Sequence, residues 1–596
     1  MAVYDAHRIR KHTFQSDSIR KDEPPYVIGF DSEADTTSDG RPMLFQYSLP
    51  GTTEQDCILQ ELPETKHAGL GGFLDFLDSY TTTPEVEYLI YGYNVSYELT
   101  QLFHDLPKEV INESEWTITG IRYRGVASSH LSERYPWTIR VSNDKRQIVE
   151  FIHDGGARVQ FLDAAAFYKG GLDKVAKMLG VGEKYSIAAG HDDRSHCTRR
   201  SLLDREFITY AKRDAYVTRL IGEHIQKQHE SFGIRTCISA PHFAATVYKT
   251  HFLHGRSPSL DATIEQAGLY SYHGGKNGYY LDGPAEYAEI YNYDITSAYP
   301  EAMRQLPDVE NSSWKEVHKY TPGQHAIYNV TLDYKCCKYR GLQSHEGTWP
   351  SSGRVQLWTT SYELDEVLSK GEARLVDCHG YEFLGPSGGS LAAYVDRFFA
   401  VKSTTTGPER ETAKLLLNSL YGKFFQKQPI GRVGNYDLDT ESWLGYDEGN
   451  ESYDYEAGGL YNPPVASLIT GFVRAKIHRL EHKYESVMTS TDGFFGIGTP
   501  DLRDVGRAMG QLTVQRGHLR IWRERLYVFD PIDGDTKFAL HGFHAGRREL
   551  ESIPLAKGDY TYYGRQMITL KMSTRDQRAE KHSPGEFVNM LFTLRI

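Results

Sequence analysis

The chain has 596 residues, which is enough for several domains with full hydrophobic cores. Its hydrophobic fraction of 39%, with 12% aromatic residues, is typical of a globular protein, and no apolar run is long enough to cross a membrane. The formal net charge of −12 excludes a uniformly basic nucleic-acid-binding chain, although local basic patches can still bind nucleic acid. The first 24 residues are polar and charged, lack the apolar core of a signal peptide, and are expected to form an N-terminal extension.

Two acidic residues follow the first predicted strand. Tyr26–Phe30 has the apolar pattern of a buried strand, begins after a Pro-Pro break, and leads directly into Asp31 and Glu33. Side chains alternate along a strand, so both carboxylates are expected on one face at the end of this strand. A polar strand terminus without a site is the alternative for this pair taken alone.

Two further predicted strands also end in polar residues. Glu87–Tyr91 is followed by Asn94 and Glu98, and the strand over residues 159–162 is followed by Asp163. Residues 182–204 are polar and are expected to form a solvated loop. A zinc site on His191, His196 and Cys197 of that loop is an alternative, although no fourth ligand has suitable spacing.

A helix beginning near Phe207 carries Tyr210 and Asp214 one turn apart on one face. Together with the acids that follow the strands, this helix resembles the three motifs of DnaQ-like (RNase H-like) 3′→5′ exonucleases. Hydrolysis of a phosphodiester in such enzymes uses two divalent ions about 4 Å apart, held by carboxylates. The resemblance implies that Tyr210 orients the attacking water and that Asn94 contacts the frayed 3′ end. It implies that the metal ligands are Asp31, Glu33, Glu98 and Asp214, with Glu98 standing where the family normally has Asp.

The segment Tyr272-His-Gly274-Gly275 lies in an aromatic, turn-rich region. Adjacent glycines allow one backbone to approach another closely. The segment resembles a Tyr-x-Gly-Gly motif that connects nuclease and polymerase halves in a polymerase family, and the resemblance implies that Tyr272, Gly274 and Gly275 contact DNA. A plain hairpin turn is the alternative.

A predicted strand from Ile290 ends at Asp294 and is followed by Ser297 and Tyr299-Pro300. This pattern, Asp-x-x-Ser-x-Tyr-Pro, resembles the first palm motif of family B DNA polymerases. The resemblance implies that Asp294 binds two Mg²⁺ ions and that Tyr299 lies under the sugar of the incoming nucleotide. A ring at that place would collide with a ribose 2′-OH and select deoxynucleotides.

The stretch from Lys414 to Gly422 has a helical pattern, in which Lys414, Asn418 and Tyr421 fall at i, i+4 and i+7 on one face. It resembles the fingers helix of family B DNA polymerases and is most similar to the protein-primed branch of phages and linear plasmids. An amphipathic surface helix is the alternative. The resemblance implies that the nucleotide-binding residues are Tyr299, Lys402, Arg410, Lys414 and Tyr421.

Residues Val465 to Tyr484 are predicted to form an amphipathic helix with a basic polar face that includes Arg474. Ser486 to Phe495 then has the pattern of a β-hairpin with Asp492 at its tip. It resembles the family's second palm motif, Asp-Thr-Asp, with Ser490 in place of the first Asp. The resemblance therefore implies that catalysis depends on Asp294 and Asp492.

Lys537 lies in a C-terminal region where the local charge turns basic, and phosphate contacts of this kind dominate affinity for DNA. Asp535-Thr-Lys537 resembles the palm lysine motif that holds the primer strand, with Ala539 in the place of the family's aromatic residue. The resemblance implies that Lys537 contacts DNA.

The resemblance implies an α/β multidomain fold, in which a DnaQ-like exonuclease domain precedes a right-hand polymerase with two insertions. The expected segments are an N-terminal extension (1–24), the exonuclease domain (25–222), the first part of the palm (223–305), an insertion that contacts a terminal protein (306–391), the fingers (392–428), an insertion for processivity and strand displacement (429–461), the second part of the palm (462–545) and the thumb (546–596). The expected cofactor is Mg²⁺, two ions per active site, with Mn²⁺ as a possible substitute.

The function that the resemblance implies is DNA-directed DNA synthesis with 3′→5′ proofreading, in protein-primed replication of a linear viral or plasmid genome. The expected partners are template and primer DNA, dNTPs and a terminal protein, with no membrane, and the chain is expected to be a monomer. Six cysteines, of which Cys336 and Cys337 are adjacent, form no disulfide framework and favour a reducing compartment such as the cytoplasm of a host cell. The alternatives are a DNA-binding exonuclease with an impaired polymerase half and a non-catalytic DNA-binding scaffold.

Overall fold

The structure is a computed structural model that describes most of the chain. The described residues are 9–11, 24–106, 115–119, 136–142, 148–185, 197–254, 260–335, 337–429, 433–437, 442–447, 455–568 and 587–596. No helix in these ranges is both long enough and apolar enough to span a lipid bilayer.

The α-helices are numbered in chain order. They are α1 (Ala68–Tyr80), α2 (Ser96–Leu102), α3 (Leu172–Leu179), α4 (Arg205–Ser231), α5 (Ala240–His251), α6 (Ala262–Ser271), α7 (Ala298–Gln305), α8 (Ser361–Ser369), α9 (Ser390–Thr404), α10 (Gly407–Ser419), α11 (Pro463–Lys483) and α12 (Arg547–Ser552).

The strands are numbered in the same way. Those before residue 300 are β1 (Ile9–Lys11), β2 (Tyr26–Ala34), β3 (Pro42–Ser48), β4 (Ile58–Glu61), β5 (Glu87–Gly92), β6 (Glu115–Thr119), β7 (Trp137–Ser142), β8 (Ile148–His153), β9 (Arg158–Asp163), β10 (Lys276–Tyr279) and β11 (Ala285–Ile295). The later ones are β12 (Ser313–Val317), β13 (Ala326–Tyr334), β14 (Gly353–Thr360), β15 (Ala373–Leu384), β16 (Lys427–Pro429), β17 (Val433–Asp437), β18 (Ser442–Asp447), β19 (Tyr455–Ala457), β20 (Ser486–Thr491), β21 (Gly493–Gly496), β22 (Leu512–Arg523), β23 (Leu526–Pro531), β24 (Lys537–Leu540), β25 (Asp559–Met567) and β26 (Phe587–Arg595).

The N-terminal part is built on a ten-stranded mixed sheet with the order β18-β17-β6-β7-β8-β9-β5-β2-β3-β4. Its centre, β9-β5-β2, is parallel, and the near-continuous apolar residues of these strands fit a sheet that is covered on both faces. Helix α4 packs so closely on β2 that a Cβ at Gly29 would lie 2.1 Å from the carbonyl oxygen of Ala215. Glycine at position 29 therefore permits the approach that brings Asp214 and Asp31 to the same region.

A second sheet has seven strands in the order β10-β20-β21-β11-β22-β23-β24. Its members come from distant parts of the chain, since β11 pairs antiparallel with both β21 and β22. The hairpin β20–β21, predicted from the sequence, is present with Asp492 between its strands. This sheet positions Asp294 next to the hairpin tip.

Residues 313–384 contain a four-stranded sheet with the order β12-β15-β13-β14 and its own apolar core. Helix α8 belongs to the same unit, and Leu364 and Val367 of this helix lie in that core. The unit packs against α11, where the Glu363 carboxylate accepts from Nε of Arg474 at 2.7 Å. Arg474 is only 3% exposed, so its predicted position on a solvated polar face is wrong.

The segment 429–461 has no clear sequence period but contributes regular strands. Strand β17 pairs parallel with β6 and antiparallel with β18, so this segment extends the N-terminal sheet. Strand β19 lies between β1 and β16 in a separate three-stranded sheet. Sequence reasoning did not foresee either pairing.

Candidate functional site

Asp294 and Asp492 come together at the pairing of β11 with β21. Asp294 lies opposite Gly493 in the strand register, and the backbone N–H of Ile295 donates to the carbonyl oxygen of Asp492 at 3.0 Å. Thr491 precedes Asp492 with a left-handed φ of 58°, and its Oγ1 donates to Asp492 Oδ1 at 2.7 Å. The hairpin turn thus fixes the second aspartate beside the first.

Asp294 is an exposed residue, although protein atoms partly surround its carboxyl group. Partial burial raises its pKa to about 6, and the negative charge of Asp492 adds to this shift. Lys537, Lys402 and Lys414 act in the opposite direction. Two adjacent carboxylates repel each other when both are ionised. A divalent cation that prefers oxygen ligands, such as Mg²⁺, would offset this repulsion.

A cluster of cations lies on α9 and α10 beside these acids. Nζ of Lys402 donates to Oγ of Ser297 at 2.8 Å. Burial lowers the pKa of Lys402, and the charges of Arg410 and Lys414 lower it further. Arg410 and Lys414 share the carboxylate of Glu411, at 2.6 and 3.6 Å. Positive charge is therefore concentrated next to the two aspartates.

Tyr421 does not continue the helix that carries Lys414. Helix α10 ends at Ser419, and Tyr421 begins a short 3-10 turn, so the prediction that both share one face of a continuous helix is wrong. Beyond the end of that helix, Tyr421 stacks on Tyr299, with ring centroids 3.9 Å apart and planes within 3° of each other. The two rings form one aromatic surface beside the aspartates.

The Tyr272–Gly275 segment connects α6 to β10. The alternative of a plain hairpin is wrong, because β10 pairs with β20 and Lys276 lies opposite Thr491. Tyr272 stacks on Phe425 at 3.6 Å, and burial raises its pKa to about 12. A Cβ at Gly275 would lie 2.8 Å from the Thr491 side chain and 2.9 Å from the Tyr299 hydroxyl, whereas a Cβ at Gly274 would meet no described heavy atom within 4 Å. Gly275 thereby lets this segment touch the tip of the Asp492 hairpin.

Two further sequence candidates lie at the edges of this site. Ser490 is in β20, opposite Asn277, and contributes no carboxylate. Lys537 is the first residue of β24, is exposed, and lowers the pKa of Asp294 through its charge. The positive charge of Lys537 therefore favours the ionised form of Asp294.

The N-terminal acids form a second cluster. Asp31 and Glu33 lie within β2, which continues to Ala34, so their expected place at the strand end is wrong. Burial raises the pKa of Glu98 on α2 well above its usual value, and the charges of Asp31, Asp163 and Glu33 raise it further. Asn94, with a left-handed φ of 66°, donates its backbone N–H to Asp163 at 2.9 Å. Four carboxylates are therefore close enough to interact strongly.

Two buried carboxylate oxygens of this cluster fit a cation. Among the described residues, no hydrogen-bond donor reaches Oε2 of Glu98 or Oδ1 of Asp214. An unpaired buried carboxylate oxygen is costly, and a bound divalent ion would remove that cost.

Lys184 is a residue of this second cluster that sequence reasoning missed. It forms an ion pair with Oδ2 of Asp214, and its Nζ lies 4.4 Å from the centre of the Tyr210 ring. The predicted solvated loop therefore begins with a partly buried lysine held against two candidate residues. No local pattern around Lys184 signals this contact, because it joins parts of the chain 30 residues apart. Of the residues in the zinc alternative, His191 and His196 lie outside the described residues, and the backbone N–H of Cys197 donates to Oγ1 of Thr36.

Comparisons with known proteins agree with these observations. The family model for DNA polymerase type B, organellar and viral, matches residues 189–433. The DNA polymerase of Bacillus phage Nf is 26% identical over 199 residues, or 31% of this chain and 33% of the relative. That of Bacillus phage phi29 is 24% identical over 239 residues, or 36% of this chain and 40% of the relative. The resemblance to protein-primed family B DNA polymerases is confirmed.

The similarity of fold extends much further than the similarity of sequence. The chain spans about a third of the length of the first curated relatives in sequence alignment. Structural superposition on phi29 DNA polymerase complexed with primer–template DNA covers 96% of this chain and 100% of the other, with a TM-score of 0.64 at 16% identity. The ternary complex of the same enzyme with incoming nucleotide gives a TM-score of 0.63 at 16% identity. The mixed α/β fold is thus that of phi29 DNA polymerase.

The family-model match takes in only part of the two clusters. It includes Asp214, Asp294, Tyr299, Lys414 and Tyr421, and it ends well before Asp492. Asp31, Glu33 and Glu98 precede it. Their assignment depends on the motifs and on the geometry described above.

Proposed function

We propose that this chain is a template-directed DNA polymerase that extends a primer with dNTPs and removes mismatched ends with a 3′→5′ exonuclease. The observation that carries the proposal is the meeting of Asp294 and Asp492 beside the cation cluster of α9 and α10. Acids alone would serve many metal sites. Acids next to converging cations and an aromatic surface suit a nucleoside triphosphate, which carries a metal-bound phosphate chain and a flat base.

Asp294 and Asp492 would hold divalent cations, Mg²⁺ by the resemblance, with Mn²⁺ as a substitute. When bound, such ions activate the primer 3′-OH and offset charge on the phosphates. Lys402 and Lys414 are suited to neutralise the charge that develops on the leaving β- and γ-phosphates, with Arg410 holding the shared Glu411 carboxylate in place.

The stacked rings of Tyr299 and Tyr421 are suited to line the nascent base pair. Tyr299 is fixed from two sides, by the Tyr421 ring and by the close approach of Gly275. A ring held in this way cannot move aside for a ribose 2′-OH, which supports deoxynucleotide selection by steric exclusion. Tyr272, Gly274 and Gly275 are proposed to guide the primer strand between the two sites, and Lys537 to hold it.

The second cluster is proposed to be the exonuclease site. Asp31, Glu33, Glu98 and Asp214 would hold the divalent ions, and the unsatisfied oxygens of Glu98 and Asp214 support this role. Tyr210 would orient the attacking water, and Lys184 would hold the side chains of Tyr210 and Asp214 in position. Asn94, exposed beside Asp163, would contact the 3′ end.

The domain assignment expected from the sequence is retained as part of the proposal. The separate core of residues 313–384 supports an insertion that receives a terminal protein. The pairing of β17 with β6 supports a second insertion at 429–461 that reaches the exonuclease domain and promotes strand displacement. Protein-primed replication by a monomer in the host cytoplasm completes the proposal.

A labelled primer on a longer template, incubated with Mg²⁺ in the presence and absence of dNTPs, tests both activities. The wild type should extend the primer with dNTPs and shorten it without them. Asp492→Asn should reduce extension by about 100-fold or more while leaving shortening intact. The matched control, Asp377→Asn, alters an exposed aspartate of β15 and should behave as the wild type. Extension by Asp492→Asn at the wild-type rate would contradict the assignment.

The serine at position 490 favours a second candidate, a DNA-binding exonuclease whose polymerase half is impaired. It predicts shortening without extension in the wild type. A non-catalytic scaffold predicts neither reaction, and Asp31→Asn would then change nothing. The same incubation therefore separates all three functions.

A further inference from the structure

Glu372, His478 and His482 form a compact cluster away from both acidic sites. Glu372 lies between α8 and β15, and the two histidines are one turn apart on α11, on the same face. One ligand atom from each residue can be chosen so that all three lie within 4.8 Å of one another. Together they offer two imidazoles and one carboxylate.

The two histidines turn the same ring nitrogen toward Glu372. Nε2 of His478 lies 3.0 Å from Oε2, and Nε2 of His482 lies 2.9 Å from Oε1. The second contact is out of hydrogen-bond alignment, and neither of its two atoms has another hydrogen-bond partner among the described residues. Imidazole nitrogens and carboxylate oxygens that converge in this way are donor types that bind transition ions.

Of the buried carboxylates Glu363, Glu372 and Glu481, Glu372 is the one without a lysine or arginine partner among the described residues. Nζ of Lys276 is paired with Glu481, and Arg474 is paired with Glu363 at 2.7 Å. Glu372 is 4% exposed and faces the histidines. Oε2 of Glu372 lies within hydrogen-bond distance of His478, whereas Oε1 has no aligned donor among the described residues. A buried carboxylate needs a compensating cation.

The cluster has space beside His478, and its His482 side chain is partly exposed. A Cβ at Gly341 would lie 3.0 Å from Nε2 of His478, so the glycine keeps one side of that nitrogen clear. The His482 side chain is 32% exposed, although its Nε2 atom is buried. Nδ1 of His478 lies 3.2 Å from Nζ of Lys276, which can donate to it, and 3.8 Å from a carboxylate oxygen of Glu481.

We propose that Glu372, His478 and His482 bind a divalent transition ion of the Zn²⁺ class, with water as the fourth ligand. Two imidazoles and a carboxylate suit Zn²⁺, whereas Mg²⁺ prefers oxygen ligands alone, so this site would not compete with the acidic sites for Mg²⁺. The ion would tie the four-stranded unit to α11, the helix that leads into β20 and the Asp492 hairpin.

Metal content of the full-length protein tests this site. The wild type is equilibrated with one equivalent of Zn²⁺ in excess Mg²⁺, which fills the oxygen-only sites, and is then dialysed and analysed for zinc. We expect about one Zn²⁺ per chain in the wild type and loss of that ion in His482→Gln. His482→Cys should retain it, because a thiolate also binds zinc, and this separates loss of a ligand from loss of the fold. The control His318→Gln changes an exposed histidine of the same unit and should retain the ion.

Zinc should also raise the melting temperature of the wild type and of His318→Gln, but not of His482→Gln. Equal zinc content in the wild type and His482→Gln would overturn the proposal, and so would loss of zinc in His318→Gln. DNA and nucleotides are absent from these measurements. Failure of the zinc site would therefore leave the proposed polymerase and exonuclease functions untouched.

Discussion

Tyr421 stacks face to face on Tyr299, with ring centroids 3.9 Å apart. The two residues come from separate elements, since Tyr299 is on α7 and Tyr421 follows α10. Their stack connects the strand that carries Asp294 to the helix that carries Lys414. The proposed nucleotide pocket therefore has one rigid aromatic wall that spans both elements.

Replacement of Tyr421 tests this wall. Tyr421→Ala removes the stack and should raise the KM for dNTPs by about 10-fold, since stacking of a base on an aromatic ring is worth about 1–3 kcal/mol. Tyr421→Phe retains the ring and should stay close to the wild type. Steady-state single-nucleotide insertion gives both values. An equal effect of the two variants would show that the hydroxyl, and not the stacked ring, is what matters.

Gly275 and Gly274 form a natural pair for a stability test. Gly275→Ala forces a methyl group against Thr491 and Tyr299 and should destabilise the fold by about 1–3 kcal/mol. Gly274→Ala meets no described atom within 4 Å and should leave the melting temperature unchanged. Thermal unfolding of the two variants measures the difference. Equal melting temperatures would mean that the Asp492 hairpin yields to the added methyl group at little cost.

Lys184 should affect one activity alone. Lys184→Met removes the partner of Asp214 and should slow primer shortening by about 10- to 100-fold, as expected for a group that holds a metal ligand. Primer extension should not change. Lys177→Met is a suitable control, because that exposed lysine pairs with Asp173 at the surface. Loss of both activities in Lys184→Met would indicate a folding defect instead.

The raised pKa of Asp294 predicts a pH-dependent effect of Mg²⁺ on stability. The folded-state pKa of about 6 exceeds the ordinary value of 3.8, so ionisation of this carboxyl opposes folding. The penalty is absent below pH 3.8, grows as the pH rises, and is complete above about pH 6. Binding of Mg²⁺ would relieve it. Mg²⁺ should therefore raise the melting temperature more at pH 7.5 than at pH 5.

Asp294→Asn provides the control for this measurement. The asparagine does not ionise, so the difference between the two pH values should become smaller. The pH difference that remains in Asp294→Asn would come from the second acidic cluster, whose carboxylates are unchanged in this variant. A pH dependence that is identical in the wild type and Asp294→Asn would assign the effect to that other cluster.

The sequence was sufficient to predict the strands and helices that carry most candidate residues. Asp294 and Asp492 follow short apolar runs with clear strand patterns, and Tyr210 and Asp214 lie in a long helix with strong periodicity. These are local signals, which depend on neighbours within about one or two turns. Their assembly into sites came from the family resemblance and not from the patterns.

Contacts between distant parts of the chain could not be predicted in this way. Lys184 meets Asp214 across 30 residues, and β17 joins β6 across more than 300, without a pattern in either partner. Tyr421 fits the helical period, but the α-helix ends two residues earlier and the Tyr421 ring stacks on Tyr299. Tertiary packing decided each of these features, and local propensity did not.

Arg474 is the clearest case of a residue whose environment reverses its sequence interpretation. It fits the basic face of an amphipathic helix, yet its guanidinium is buried against Glu363. Arg474→Met would leave Glu363 buried without its partner and should destabilise the protein by about 3–5 kcal/mol. Adding Glu363→Gln removes the uncompensated charge and should restore much of that loss. Urea unfolding of both single variants and the double variant completes the cycle. Additive effects of the two changes would show that Arg474 and Glu363 are not energetically coupled despite their contact.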